Sequence, residues 1–350
     1  MALGEHTSFR ALLLREGAAE PQVAVELLEV VDLPEGDVIV EVAYSSLNYK
    51  DALAVTGAGR IVRSYPIVPG IDLVGTVVWS ESSDYSVGQQ VILTGWGIGE
   101  AHWGGLAQYA RVRSEWLVPL PEALSPKQAM ALGTAGLTAM LAVVALEREG
   151  LVPPDAEWTE RPEVLVTGAS GGVGSIAILL LAGAGHRVVA STGRHESAAY
   201  LHLLGAEDLV DREDMESPAR PLETQRWVAA VDTVGGSTLA RVLAETRYGG
   251  AVAACGLVGG SGLRTTVMPF ILRAVTLVGI NSVSVPTPLR IEAWDRLARD
   301  IDLGALESLT RVIGLEDVLG HAHQMVSGRG RGRTVVELRP QESAFRDPGL

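Results

Sequence analysis

One stretch constrains the fold of this chain more than any other: Val164-Leu-Val-Thr-Gly-Ala-Ser-Gly-Gly-Val-Gly-Ser175. It opens as an apolar, β-branched run, turns on glycines at 168, 171, 172 and 174, and leads into a second apolar run, Ile176 to Leu181. β-branched residues favour a strand, and the apolar run after the turn reads as a helix. A helix that begins on bare backbone N–H groups offers its positive end to an anion. Glycines permit the tight turn and let a pyrophosphate approach the main chain closely. The segment therefore points to a dinucleotide site and a redox enzyme. A ligand-free strand-to-helix turn would use the same glycines, so the context has to decide.

The context supports the dinucleotide. A second apolar strand, Arg187-Val-Val-Ala190, follows at the distance a right-handed βαβ unit needs. After it stands Ser191-Thr192-Gly193-Arg194, where an NAD-type protein places a carboxylate for the ribose 2′-hydroxyl. A carboxylate would repel a 2′-phosphate, whereas hydroxyls and an arginine bind one. The expected cofactor is NADPH rather than NADH.

With 350 residues the chain has room for about two domains. Its 47% hydrophobic content allows sizeable cores, and its 40 glycines suit an α/β protein rich in tight turns. The net charge is −14 and no long basic run is present, which argues against nucleic-acid binding. One cysteine, Cys255, excludes an internal disulfide and a multi-cysteine zinc site, and fits a reducing cytoplasm. No signal-peptide layout and no unbroken apolar run of membrane length is seen, so a soluble cytoplasmic protein without a membrane partner is expected.

Residues 9 to 120 read as mostly β, with short apolar segments at Phe9–Leu14, Val38–Val42, Leu73–Val78 and Gln90–Leu93 between turn residues. Such spacing suggests a barrel-like unit. Ser125-Pro126-Lys127-Gln128 reads as a helix start, with Ser125 as N-cap. Val152-Pro-Pro-Asp155 reads as a loop. From 162 to about 285 strands and helices alternate, with strands expected at 164–167, 188–190, 208–210, 229–234, 251–255 and 275–280, the doubly wound pattern. Val234-Gly235 and Cys255-Gly256-Leu257 fall at strand ends, where such sheets bind ligands or simply turn. Pro286 and Pro288 precede an amphipathic helix from Ile291 to Ile301, Thr334–Leu338 is a last strand, and Gln341 to Leu350 read as a polar tail. The short last segment rejoins the first unit, so 1–128 with 286–350 is expected to form one domain around a Rossmann domain at 129–285.

Several further motifs stand in order: Ser45-Ser-Leu-Asn-Tyr-Lys-Asp-Ala-Leu53, Pro69-Gly-Ile-Asp-Leu-Val-Gly75, Leu93-Thr-Gly-Trp-Gly-Ile-Gly-Glu100, His102-Trp-Gly-Gly-Leu106, Gly133-Thr-Ala-Gly-Leu-Thr-Ala139, Met268-Pro-Phe-Ile-Leu-Arg273 and Gly332-Arg-Thr-Val-Val336. With the glycine turn they resemble the acryloyl-CoA reductase branch of the medium-chain dehydrogenase/reductase superfamily, often labelled quinone oxidoreductases of the YhdH/YhfP type. The resemblance covers about residues 9 to 340. It implies a GroES-like catalytic domain split around a Rossmann domain, a homodimer, and NADPH-dependent reduction of an activated C=C bond, acryloyl-CoA to propionyl-CoA. By motif it places Tyr49 against the nicotinamide. Ser170, Gly171, Gly172 and Val173 fall at the pyrophosphate, and Thr192, Gly193 and Arg194 at the 2′-phosphate, Thr192 standing for the family's serine. Leu257, Ile271 and Ser282 match positions that close over the cofactor. One departure is the loop Ser327-Gly-Arg-Gly-Arg-Gly332, which lacks the amide side chains of the family pattern.

The superfamily's zinc alcohol dehydrogenases carry Gly-His-Glu where this chain has Gly70-Ile71-Asp72, so no catalytic zinc is expected, and His102 reads as a loop histidine beside Trp103. Without a metal the substrate must already be an electrophile, as an α,β-unsaturated thioester is. Tyr49 is the candidate proton donor or water-orienting residue, with a packing role as the alternative, and Asn48 the candidate holder of the carbonyl or the ring. Lys50 and Asp51 are expected to pair or to brace the loop. Trp96 and Trp103 are candidates to wall the acyl pocket, or else to pack in the core. Arg329, Arg331 and Arg333 are candidates for the phosphates of coenzyme A, with Arg333 matching the family motif. An NADPH:quinone or enone reductase and a non-catalytic NADPH-binding relative remain as alternatives.

Overall fold

The computed structural model describes residues 4, 6–151 and 161–339. The loop expected at Val152–Asp155 and the tail at Gln341–Leu350 lie outside them. Along the chain come β1 (Ser8–Arg15), β2 (Gln22–Glu29), β3 (Val38–Leu47), α1 (Tyr49–Thr56), β4 (Asp72–Ser80), β5 (Gln90–Thr94), β6 (Tyr109–Val112), β7 (Val118–Pro119) and α2 (Pro126–Arg148). Then follow β8 (Glu163–Val166), α3 (Gly172–Gly183), β9 (Arg187–Thr192), α4 (Ala198–Leu203), β10 (Ala206–Asp211), α5 (Arg212–Glu216), β11 (Trp227–Asp232), α6 (Gly236–Glu245), β12 (Thr246–Ala254), α7 (Met268–Arg273) and β13 (Thr276–Gly279). The chain closes with α8 (Thr287–Asp300), α9 (Leu303–Ser308), β14 (Thr310–Ile313), α10 (Val318–Val326) and β15 (Arg333–Glu337).

These elements form two compact units, Met1–Gly133 with Thr310–Leu350, and Thr134–Leu309. The first unit holds a mixed sheet in the order β14-β15-β3-β4-β5-β7, with β6 also on β3, and a separate β1-β2 ribbon. Strand β3 is long because two partners share one of its sides: β6 pairs with Val38–Glu41 and β15 with Tyr44–Leu47, while β4 runs along the other. The returning segment completes the apolar core, where Ile313, Val318, Ala322 and Val336 join Phe9, Leu14, Leu47 and Leu73.

The second unit is a parallel six-stranded sheet in the order β10-β9-β8-β11-β12-β13. The strand order reverses between β8 and β11, and ligands of such sheets bind outside the carboxyl ends of the strands at that point. The boundary expected at 285/286 differs from the observed 309/310. Pro286 and Pro288 are not a linker but the start of α8, where proline's fixed φ suits the first helical turn. Trp294 and Leu297 of α8 are buried, and Arg296 makes a two-pronged ion pair with Glu147 of α2 at 2.5 and 2.9 Å, so α8 belongs to the nucleotide-type unit.

Helix α2 is long and apolar enough to cross a membrane by length and composition, but 83% of its apolar window is buried inside the protein. Ser125 starts it as the spacing implies. Its N–H donates to Gln128 Oε1 at 2.9 Å, while the Gln128 N–H donates back to Ser125 Oγ at 3.3 Å.

Candidate active site

In the second unit the turn after β8 lies at the reversal point. The first helical bond of α3 runs from Ser175 N–H to the Gly171 carbonyl at 2.9 Å. The N–H groups of Gly172, Val173 and Gly174 precede it and stand at the positive end of an apolar helix. Gly174 is required by close approach, since a Cβ there would lie 2.5 Å from the Gly168 carbonyl oxygen. Gly171 faces a looser space, its nearest neighbour at 3.2 Å. The backbone around Ser170, Gly171, Gly172 and Val173 is thus a bare N–H cradle that fits a pyrophosphate. Beside it Asp232, at the end of β11, accepts from Thr167 Oγ1 at 2.6 Å and from the Gly235 N–H at 2.8 Å, which pins the two switch-point loops together.

Arg194 Nη2 donates to Ser170 Oγ at 3.0 Å, and the Arg194 N–H donates to Thr192 Oγ1 at 3.2 Å. The hydroxyl, the guanidinium and the glycine turn therefore meet in one corner. Among the other expected cofactor residues, Leu257 and Ile271 are exposed, at 68% and 70%. Ser282 Oγ accepts from Thr138 Oγ1 at 2.8 Å. A Cβ on Gly235 would come within 2.8 Å of the Gly256 carbonyl oxygen, so loop-to-loop packing accounts for that glycine.

In the first unit Asn48 caps α1 and Tyr49 is its first residue. Tyr49 is 39% exposed, and its hydroxyl has no hydrogen-bond partner among the described residues. The neighbouring Asn48 and Asp51 are buried and bonded. Asp51 accepts from the Asn48 N–H at 2.8 Å and from the Ile71 N–H at 2.9 Å, so it braces the loop as expected. Lys50 does not pair with it but with Glu100, at 2.8 Å. Asn48 Nδ2 donates to Asp72 Oδ2 at 2.8 Å and to Ser46 Oγ at 3.1 Å, and Ser46 Oγ donates to Asp72 Oδ2 at 2.5 Å. Arg333 donates through Nη1 to Asn48 Oδ1 at 3.1 Å, through Nη2 to Ser46 Oγ at 3.0 Å, and through Nε to the Ala131 carbonyl at 2.7 Å.

Two expectations are corrected here. Asn48 spends both amide hydrogens inside this network, which leaves it no donor to hold a substrate carbonyl. Arg333 is only 3% exposed and its guanidinium is engaged on all three nitrogens, so it cannot reach the phosphates of coenzyme A. The sequence could not reveal this, because a loop arginine and a buried one look alike until their partners are known. Burial, and then the like charge of Asp72, push the Asp51 carboxyl up to about 7. Burial also pulls Arg333 below the usual arginine range, against the attraction of Asp72 and Asp51.

Trp96 and Trp103 are half-buried and pack on the core of this unit, Trp103 Nε1 donating to the Pro66 carbonyl at 3.2 Å. His102 is a loop histidine, with Nδ1 on the Trp103 carbonyl at 3.0 Å and Nε2 on the Glu35 carbonyl at 3.1 Å. Arg329 and Arg331 are exposed, and Arg329 Nε donates to Ser327 Oγ at 3.0 Å.

Residues 34–122 match the family profile described as the alcohol dehydrogenase GroES-like domain, and residues 172–299 the one described as zinc-binding dehydrogenase. The residues around Asp72 do not fit zinc. Its carboxylate is shared with Asn48 and Ser46, and a guanidinium cation bonds to both of these, where a second cation would be repelled. The sequence is 51% identical over 333 residues to the acrylyl-CoA reductase AcuI of Ruegeria pomeroyi, covering 94% of this chain and 99% of that protein. Among solved structures, the yhdH oxidoreductase of Salmonella enterica in complex with NADP is 50% identical with a TM-score of 0.91, covering 94% of this chain and 100% of that one. The Bacillus subtilis protein yhfP with NAD bound is 45% identical with a TM-score of 0.90, covering 95% and 100%; YhfP is named as a quinone oxidoreductase. The chain belongs to the medium-chain dehydrogenase/reductase superfamily, in the branch of the acryloyl-CoA reductases and the YhdH/YhfP-type oxidoreductases.

Proposed function

We propose that this chain is a zinc-independent, NADPH-dependent reductase of an activated C=C bond, with acryloyl-CoA reduced to propionyl-CoA as its reaction. The observation that carries the reading is the buried Asp72–Asn48–Ser46–Arg333 network, which occupies the Gly70-Ile71-Asp72 region with hydrogen bonds instead of metal ligands. A site built so cannot polarise an alcohol oxygen with a metal, and needs a substrate that is already electrophilic, as an enoyl thioester is. NADPH, when bound, supplies the hydride. Ser170 to Val173 hold its pyrophosphate, and Thr192, Gly193 and Arg194 its 2′-phosphate. The names and bound nucleotides of the AcuI and yhdH relatives support the same assignment.

Tyr49, exposed on a rigid helix start, is the candidate to deliver or orient the proton that the α-carbon receives. Trp96 and Trp103 are the candidates to wall the acyl chain. A quinone or enone is the competing acceptor, favoured by the YhfP name and by the burial of Arg333, which removes one of three arginines that spoke for coenzyme A. Cytoplasmic location and a homodimer belong to the same reading. The dimer is supported by the position of β13 at the sheet edge among the described residues and by exposed Leu257, Val258, Val267, Ile271 and Leu272 in the segment before it. NADPH oxidation followed side by side with acryloyl-CoA, crotonyl-CoA and a benzoquinone tests the reading, with light scattering on the same preparation for the dimer. The highest kcat/KM is expected with acryloyl-CoA. A preference for the quinone selects the competing acceptor, and inactivity with all three a protein that only binds the nucleotide.

A further inference from the structure

The parallel sheet is charged at its other end, the amino edge, opposite the glycine turn. There the neighbouring strands β10, β9, β8, β11 and β12 bring side chains at or near their first positions around one cavity of about 580 Å³. The register sets the arrangement: Glu163 stands opposite Arg187 and Trp227, and Trp227 opposite Thr246. Arg226 precedes Trp227 and Arg247 follows Thr246, so both arginines reach the same rim. Two hydrogen bonds tie the loop before β11 to β12. The Arg226 N–H donates to the Glu245 carbonyl at 2.8 Å, and the Tyr248 N–H to Gln225 Oε1 at 2.7 Å.

A cavity of this volume suits a small molecule. Its lining carries four arginines, Arg161, Arg187, Arg226 and Arg247, against two glutamates, Glu163 and Glu207. On a chain of net charge −14 this is a local inversion of sign. The carboxylates are spent on two of the arginines. Glu207 pairs with Arg161 at 2.8 Å, and Glu163 and Asp208 pair with Arg187 at 3.4 and 2.5 Å. Glu245 is buried and taken by Arg241 at 2.9 Å and by Trp227 Nε1 at 3.0 Å. Among the described residues, Arg226 and Arg247 meet no carboxylate at ion-pair distance. Arg226 is held by other means: its Cζ lies 4.1 Å from the centre of the buried Trp227 ring. Stacking uses the face of a guanidinium and leaves the N–H donors at its edge for a ligand. It also fixes the cation beforehand, which lowers the ordering cost of binding.

We propose that this cavity is a second anion site, which takes a small molecule carrying more than one phosphate group between Arg226 and Arg247. Phosphate oxygens supply the acceptors and the negative charge that the lining withholds from these two cations. Strand β8, four residues and roughly 13 Å long, separates the cavity from the dinucleotide turn, so a small anion cannot fill both.

Calorimetric titration of inorganic pyrophosphate into the protein loaded with equimolar NADPH tests it, the nucleotide keeping the glycine turn filled. Saturable binding is expected, tighter than that of inorganic phosphate because pyrophosphate spans two cations. Arg247→Gln and Arg226→Gln are each expected to weaken it about tenfold or more, and the double variant to abolish it. Arg311→Gln, at an exposed arginine on β14 of the other unit, is expected to leave it unchanged. Arg247 is exposed, so its variant is expected to melt with the wild type, which separates lost binding from lost fold. No saturable binding to the wild type, or binding indifferent to both arginines, overturns the site. An equal loss in Arg311→Gln would reduce the effect to general charge, and binding confined to the NADPH-free protein would move the anion to the dinucleotide turn. Either result overturns the site as well.

Discussion

Tyr49 combines an exposed tip with a fixed base. Its ring is 39% exposed, yet the residues on either side are locked: Asn48 into the Asp72–Arg333 network, and Asp51 onto two backbone N–H groups. A proton donor needs a fixed position and access to the reacting atom, and this arrangement supplies both. Tyr49→Phe keeps the ring and removes only the hydroxyl. We expect kcat with acryloyl-CoA to fall about a hundredfold or more, with the NADPH dissociation constant unchanged. An unaltered kcat in steady-state assays would leave Tyr49 as a packing residue. Tyr49 was legible in the sequence only through the motif Ser45–Leu53 that it shares with the family; the helix it starts, Tyr49–Thr56, was not. The roles of Asn48 and Arg333 were not. They depend on a hydrogen bond between residues 285 positions apart in the chain, and no local pattern encodes it.

At the level of elements, the least conventional feature is inside α2. Gly133 interrupts that helix at φ +51° and ψ −152°, a conformation that residues with a Cβ rarely adopt. The position is tight as well. A Cβ there would lie 2.5 Å from Asp72 Oδ2, 2.8 Å from Ser46 Oγ and 2.9 Å from Arg333 Nη2, the heart of the buried network. Gly133→Ala combines backbone strain with displacement of a satisfied polar cluster. It is expected to cost roughly 2–4 kcal/mol, read as a lowered midpoint in urea unfolding. A variant as stable as the wild type would mean that the cluster yields at little cost. In the sequence Gly133 stands only as the first residue of the motif Gly133–Ala139, and what the glycine makes room for is not visible there. The strands at the centre of the parallel sheet were legible, because burial on both faces makes an apolar run in β8, β9 and β11. Strand β2 was not, since Gln22–Glu29 is only partly buried along its length and carries charges among its apolar residues.

Across the whole molecule, the nesting of one unit inside another was legible from a single clue, a short last strand that could not fold alone. Its far boundary was misread because a proline pair that starts a helix looks the same in sequence as one that ends a domain. The buried cluster of the first unit also leaves a mark on the stability of the whole protein. Asp51 titrates at about 7 in the fold, pushed up by burial and by Asp72, against an ordinary value of 3.8 in the unfolded chain. Between these two values the folded protein holds a proton that the unfolded chain has released. The contribution of Asp51 is therefore complete below about pH 4, is lost progressively as the pH rises to about 7, and is level above it. The slope is at most one proton, about 1.4 kcal/mol per pH unit, or roughly 2–4 °C in Tm. The carboxylates held low by ion pairs, Glu26, Glu223 and Asp300, act in the opposite sense, their contributions being lost as the pH falls. His186 opposes it, because burial lowers its value and its contribution grows as the pH rises. The readout is accordingly the difference in Tm between wild type and Asp51→Asn, measured from pH 5 to 8. That difference is expected to move against the wild type up to about pH 7 and then to stay flat. A difference independent of pH would place the titration of Asp51 outside the window, and the cluster would then hold the same charge throughout.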